Sequence, residues 1–190
     1  GVAVVSIDGF ECAGHPGDDD VGGLVLIPAA ASQLSVPIIA SGGIADGRGL
    51  AGALALGADA INMGTRFLAT QEAPVHEDIK NAIVEMKETD TALIFRTFGN
   101  TARVYKNQVA TQVLEIEKAG GDFSQVHHLV SGKQQDIAWS TGDKEAGMIS
   151  FGMSGGLIHD IPTCHDLVNT IVAEAEQIIR GRLSSIVEVA

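Results

Sequence analysis

Two short stretches of this chain have the residue types and spacing of an anion site. Ala40-Ser41-Gly42-Gly43-Ile44 closes one apolar run, and Asn62-Met63-Gly64-Thr65-Arg66 closes the next; a helical pattern follows each. Glycine lets backbone N–H groups face outward with no Cβ in front of them, and a helix start adds partial positive charge. Two such turns on neighbouring parallel strands converge several donors on one phosphate, with the Thr65 hydroxyl as one more. The plainer reading is that these glycines only permit tight strand-to-helix turns. Their occurrence on successive units favours the phosphate, which implies a phosphorylated substrate or a cofactor with a phosphate tail.

A third stretch, Glu11-Cys12-Ala13-Gly14-His15-Pro16-Gly17-Asp18-Asp19-Asp20, follows the first apolar run. Gly14 and Gly17 bracket His15-Pro16 and bend the loop around the imidazole. Near neutral pH an imidazole accepts a proton or donates a hydrogen bond, so His15 suits proton transfer and anion stabilisation. Alternatively, it is a surface histidine offsetting three aspartates. Consecutive aspartates point in different directions and lack calcium-loop spacing, so no metal is expected; a solvated turn partly capping the next helix fits better. Cys12 reads as a small buried thiol. His127, His128, His159 and His165 lack ligand spacing and read as surface or core histidines. Arg66 and Arg96 suit an anion contact or an ion pair equally.

The elements that must carry these loops repeat one grammar of β-branched run, glycine turn and helix. Val4–Asp8 leads to a helix through Leu24, Ile27, Ala31 and Leu34. Val36–Ser41 leads to a helix from about Gly47 to Leu56, with Leu50, Ala53, Leu54 and Gly57 on one face. Ala60–Gly64 is followed by Pro74 and a helix with Ile79, Ile83 and Met86 at helical spacing. Short strands, apolar on both faces and separated by helices, mean a parallel α/β arrangement. No G-x-G-x-x-G follows a strand, so an open dinucleotide fold is disfavoured. In (β/α)8 barrels, paired phosphate turns follow strands seven and eight on the catalytic face. Beyond residue 90, Leu93-Ile94-Phe95 reads as a strand and Asn107–Lys118 as a helix. Gly120–Gly147 reads as an irregular insertion around the single Trp139. A closing helix begins at Thr163 and Asp166, a near capping box, with a stripe of Leu167, Ile171, Ala175, Ile178 and Ile179.

Composition limits the partners. The 190 residues are 45% hydrophobic and 19% charged, enough for a core and against disorder. A net charge of −12 opposes nucleic acid and anionic lipid, and no apolar run is long enough to span a bilayer. Cys12 and Cys164 lie far apart, as expected of reduced thiols in a cytoplasmic protein. The chain opens inside an apolar run without Met, so further sequence is expected before Gly1.

The stretches Ser6–Gly17, Ala40–Gly49 and Ile61–Phe67, with the tail Gly156–Pro162, resemble the nitronate monooxygenase (2-nitropropane dioxygenase) family of FMN-dependent TIM barrels, over Gly1 to about Ala190. The resemblance implies the C-terminal portion of a (β/α)8 barrel with a small helical C-terminal extension: residues 1–100 hold the flavin-binding β/α units, 101–190 the insertion and packing helices. It implies FMN, with His15 catalytic and Ala13, Gly14, Ser41, Gly42, Gly43, Gly64 and Thr65 binding the cofactor. The implied reaction is oxidation of alkyl nitronates by molecular oxygen. However, the Ala13-Gly14-His15-Pro16-Gly17 form of the loop is closer to the NADH:quinone oxidoreductases on this scaffold. A non-redox phosphate-binding barrel enzyme and an inactive fragment are the remaining alternatives. Expected partners are a small-molecule substrate (nitronate, or NADH plus quinone) and, optionally, a second copy in a homodimer.

Overall fold

The computed structural model describes residues 1–187; the end of the expected 101–190 segment lies outside the described residues. Strands β1 (Val5–Asp8), β2 (Ile38–Ser41) and β3 (Ala60–Asn62) form a parallel sheet in the order β1-β2-β3. Helices α1 (Gly23–Ala31) and α2 (Gly47–Ala55) make the crossovers, giving two successive β/α/β units. Ser6 pairs with Ile39, Asp8 with Ser41, and Ser41 with Asn62. These residues therefore share one face of the sheet, while Ile7, Ala40 and Ile61 share the other and pack with Ile27, Ile44, Ala53 and Ala58.

This corrects the expectation of strands buried on both faces. Ser6, Asp8, Ala60 and Asn62 are exposed, because helices cover one side only, and the polar positions of the alternation fall on the bare side. The expected face of α1 is also revised. Ile27 is buried but Leu24 is 75% exposed, since the helix starts only at Gly23 and turns its first residues outward. On α2 the buried residues are Gly47, Ala51 and Ala53, with Leu54 exposed.

After α3 (Thr65–Leu68), helix α4 (Glu77–Glu85) is capped by His76 and buries Ile79 and Ile83. Met86 is buried beside them. The strand expected at Leu93–Phe95 is β4 (Thr91–Ile94), which ends because Phe95 turns left-handed at φ 65°. It forms an antiparallel hairpin with β5 (Ala102–Tyr105), an element the sequence reading did not contain. Asn107 caps α5 (Gln108–Lys118). The segment expected to be irregular contains α6 (Phe123–Val126) and α7 (Gly132–Thr141). Trp139 on α7 packs edge-on to the buried Phe151, 6.2 Å between ring centres.

Thr163 caps α8 (Cys164–Gln177) by accepting from Asp166 N–H. Leu167, Ile171 and Ala175 are buried as expected, whereas Ile179 is 41% exposed; the helix passes into π-type turns from Ile178, so the 3.6-residue stripe does not continue. Gly47 is the point where α2 crosses α8: a Cβ there would collide with Glu174 and the α8 backbone. No helix among the described residues is long and apolar enough to cross a membrane.

Candidate functional site

The three loops lie at the C-terminal ends of β1, β2 and β3, on one side of the sheet. The β1 loop is anchored at its base, where Gly9 N–H donates to Ser41 C=O (2.9 Å) and Cys12 N–H to Gly9 C=O (3.0 Å). The Glu11 carboxylate accepts from Gly23 N–H at the start of α1 (3.0 Å). Gly14 and Gly17 take φ of 73° and 83°, the bend their spacing suggested.

The β2 turn requires glycine twice. Gly42 and Gly43 sit at φ 86° and 76°, and a Cβ on Gly42 would lie 2.9 Å from Gly9 O and 3.0 Å from Cys12. Gly64 differs. Its φ of −95° suits any residue, and a Cβ there would meet nothing within 4 Å. At Gly64 the missing side chain leaves open space rather than relieving strain.

Ala13, His15, Ser41, Gly42, Gly43, Gly64 and Thr65 all line one pocket of about 300 Å³, at the lower end of the size of small-molecule sites. Gly14 does not line it; its N–H and C=O both bond to the Arg103 backbone. Among the described residues, the N–H groups of Gly43, Gly64 and Thr65 donate no hydrogen bond. Gly42 N–H likewise donates none, so four residues lining the pocket carry a free backbone donor, and Ser41 lines it with them. No Lys or Arg lines the pocket. An anion there would therefore be held by neutral donors, and the Asp8 carboxylate, which also lines it, favours a ligand whose hydroxyls lie on that side.

The helix-start contribution is smaller than expected. The first turn of α2 is already occupied, by Asp46 accepting from Gly49 N–H and Glu174 accepting from Gly47 N–H, both at 3.0 Å. The helix α3 is four residues long. Backbone amides of the turns, not a helix dipole, are the available positive ends.

The remaining candidates are assigned by their contacts. Asp18 accepts from the Thr101 hydroxyl (3.1 Å) and Asp20 pairs with Arg96 (2.7 Å), so this run ties to the β4–β5 connection and does not cap α1. Arg66, 3% exposed, is in an ion pair with Asp160 at 2.8 Å. Both arginines thus take the ion-pair option. Cys12 is buried, and burial first, then the Asp8 carboxylate, pushes its thiol up to about 11 from the ordinary 9.0. It stays protonated at neutral pH and is no nucleophile. His127, His128, His159 and His165 are on the surface.

Several lining residues were missed: Asp8, Asn62, Gly152 and Ser154. Asp8 and Asn62 are the last residues of their strands, readable once the strand ends are known. Gly152 belongs to a glycine cluster visible in the sequence but attached to no strand. Its N–H donates to the Thr65 hydroxyl oxygen (2.9 Å), and Met153 N–H donates to Glu11 C=O (3.0 Å).

The chain is similar to known proteins in sequence and fold. The nitronate monooxygenase family model matches residues 1–174. A probable nitronate monooxygenase of Staphylococcus aureus is 31% identical over 95% of this chain and 52% of its own length. An octahydro-indene-carboxyl-CoA dehydrogenase of Rhodococcus jostii is 29% identical over 92% of this chain and 59% of its own. Among solved structures, FabK from Thermotoga maritima superposes with a TM-score of 0.90 at 34% identity, covering 97% of this chain and 58% of that one. Nitroalkane oxidase from Streptomyces ansochromogenes gives 0.75 at 29%, covering 93% and 52%. The chain spans about half the length of the curated relatives it matches, and its sheet is part of a TIM barrel. The chain belongs to the nitronate monooxygenase family.

Proposed function

We propose that this chain is the phosphate-gripping, histidine-bearing part of an FMN-dependent oxidoreductase, most simply one that oxidises alkyl nitronates with molecular oxygen. The observation that carries the reading is one pocket lined both by His15 and by Gly42, Gly43, Gly64 and Thr65, whose N–H groups donate no hydrogen bond among the described residues. In this reading Gly42, Gly43, Gly64, Thr65 and the Ser41 hydroxyl hold the FMN phosphate. Asp8 would accept from hydroxyls of the ribityl arm, and Ala13, which also lines the pocket, would bound the space for the ring. Bound FMN supplies the two-electron chemistry, accepting from the substrate and passing to the oxidant. The exposed imidazole of His15, which lines the pocket, would hold or move a proton at one of its ring nitrogens. Most of the pocket lining comes from residues 1–100, and Gly152 and Ser154 complete it from the segment that braces it.

NADH:quinone reduction is the second reading, favoured by one feature, the Ala13 and Pro16 form of the histidine loop. In both, the partner is a small molecule and the working place the cytoplasm, in keeping with two free cysteines.

Anaerobic mixing of the flavin-loaded protein with alkyl nitronate, and separately with NADH, discriminates them through bleaching of the visible flavin band. Faster bleaching by nitronate, slowed about 10²-fold or more by His15→Ala, is expected. Bleaching by NADH alone would move the assignment to the second reading, and bleaching by neither would end both.

A further inference from the structure

We infer that Arg103 is a positioning residue, a buried two-point clamp that fixes the arch Phe10–Gly14 and through it the direction of His15. The inference rests on the proposed role of His15 for its chemical readout, but not for its geometry.

Arg103 lies in β5 and is only 4% exposed. Its guanidinium donates from Nε (3.2 Å) and Nη2 (2.9 Å) to the single carbonyl of Phe10, and from Nη1 to the Thr91 hydroxyl (2.9 Å). The guanidinium carbon stands 4.4 Å above the Phe10 ring. No carboxylate accepts from it among the described residues. A cation held this way loses hydration without a direct counter-charge, an expensive arrangement for stability alone. Burial accordingly lowers its basicity.

The backbone of the same residue grips the other foot of the arch. Gly14 N–H donates to Arg103 C=O (3.0 Å), and Arg103 N–H donates to Gly14 C=O (2.5 Å). One residue, remote in sequence, therefore holds both ends of a five-residue segment whose next residue is His15. Within the arch, Cys12 and Ala13 line the pocket. Because Gly14 has φ 73° and a Cβ there would meet nothing, packing at Gly14 itself cannot set its direction. The two bonds to Arg103 do so instead. The links from Thr101 to Asp18 and from Arg96 to Asp20 steady the loop beyond His15.

The test uses Arg103→Met, with Arg103→Lys as a milder change that keeps the charge but cannot fork across Phe10 and Thr91. In the flavin-loaded protein, R103M is expected to slow flavin reduction by about 10²-fold, leave FMN affinity within ~3-fold, and add less than ~2-fold to the loss in His15→Ala. R103K is expected to fall between. Losses that multiply with His15→Ala, or an FMN affinity that collapses along with the rate, would overturn the clamp. Amide exchange gives a readout free of the cofactor: Gly14 N–H should exchange about tenfold faster in R103M, with Ala40 in β2 unchanged. If the protein binds no FMN, the flavin reading fails and exchange alone decides. If R103M does not fold, R103K must show the same directions; unaltered Gly14 exchange in the variant that folds overturns the inference.

Discussion

Glycines 42, 43 and 64 look alike in the sequence yet do different work. Gly42 is held by its left-handed φ and by Gly9 and Cys12 close behind it, whereas Gly64 is free of both constraints and keeps a space empty. Gly42→Ala should therefore destabilise the fold by about 2–4 kcal/mol, through the disfavoured φ and the forced contact with the β1 loop. In a thermal melt that is a fall of roughly 5–12 °C for a chain of this size; an unchanged melting temperature would mean that the turn is not built as described. The turns were readable because their chemistry is local: a strand end, two glycines, a helix start. The aspartate run was misread because its partners Arg96 and Thr101 are 76 and 83 residues from Asp20 and Asp18. No local rule reports such a partner. Arg103 was invisible for the same reason.

The elements divide along a similar line. The helices α2, α5 and α8 were legible from apolar spacing and caps, with ends that agree within about two residues; α4 was legible from its spacing alone, since Pro74, expected in its first turn, precedes the His76 cap. The hairpin was half seen. β4 carries an apolar run, but β5 reads Ala102-Arg103-Val104-Tyr105, with a buried cation in place of the expected apolar residue. Helices α6 and α7 were missed because they are short and mostly polar, held by capping and by Trp139 rather than by a strong stripe. Asn107 ties this region together. Its Oδ1 accepts from Ala110 N–H (2.9 Å), and its Nδ2 donates to Lys144 C=O (2.7 Å) and Gly147 C=O (2.8 Å). Asn107→Ala removes a helix cap and strands two carbonyls, so a loss of about 2–4 kcal/mol in denaturant unfolding is expected. Asn107→Ser, which keeps the cap, should recover about 1 kcal/mol. Equal losses in the two variants would show that the cap carries none of the stability.

At the scale of the molecule, the sheet is covered on one side and bare on the other, and the site opens at the ends of the strands bordering that bare side. A parallel sheet is ordinarily covered on both faces or closed into a barrel, and this chain matches about half of each relative's length. Fold class was legible from the β/α grammar and the missing dinucleotide fingerprint. The bare face was not, since alternation is weak in strands of three or four residues. The central claim remains the anion cradle of backbone amides. It is tested most directly by comparing affinities for FMN and riboflavin, by fluorescence quenching, in the unaltered protein and in Gly64→Val, whose Cβ would stand in open space at a residue that lines the pocket. FMN is expected to bind about 100-fold more tightly than riboflavin, with Gly64→Val erasing most of this difference at an unchanged melting temperature. Equal affinity for the two flavins, or an FMN preference that survives Gly64→Val, would contradict it.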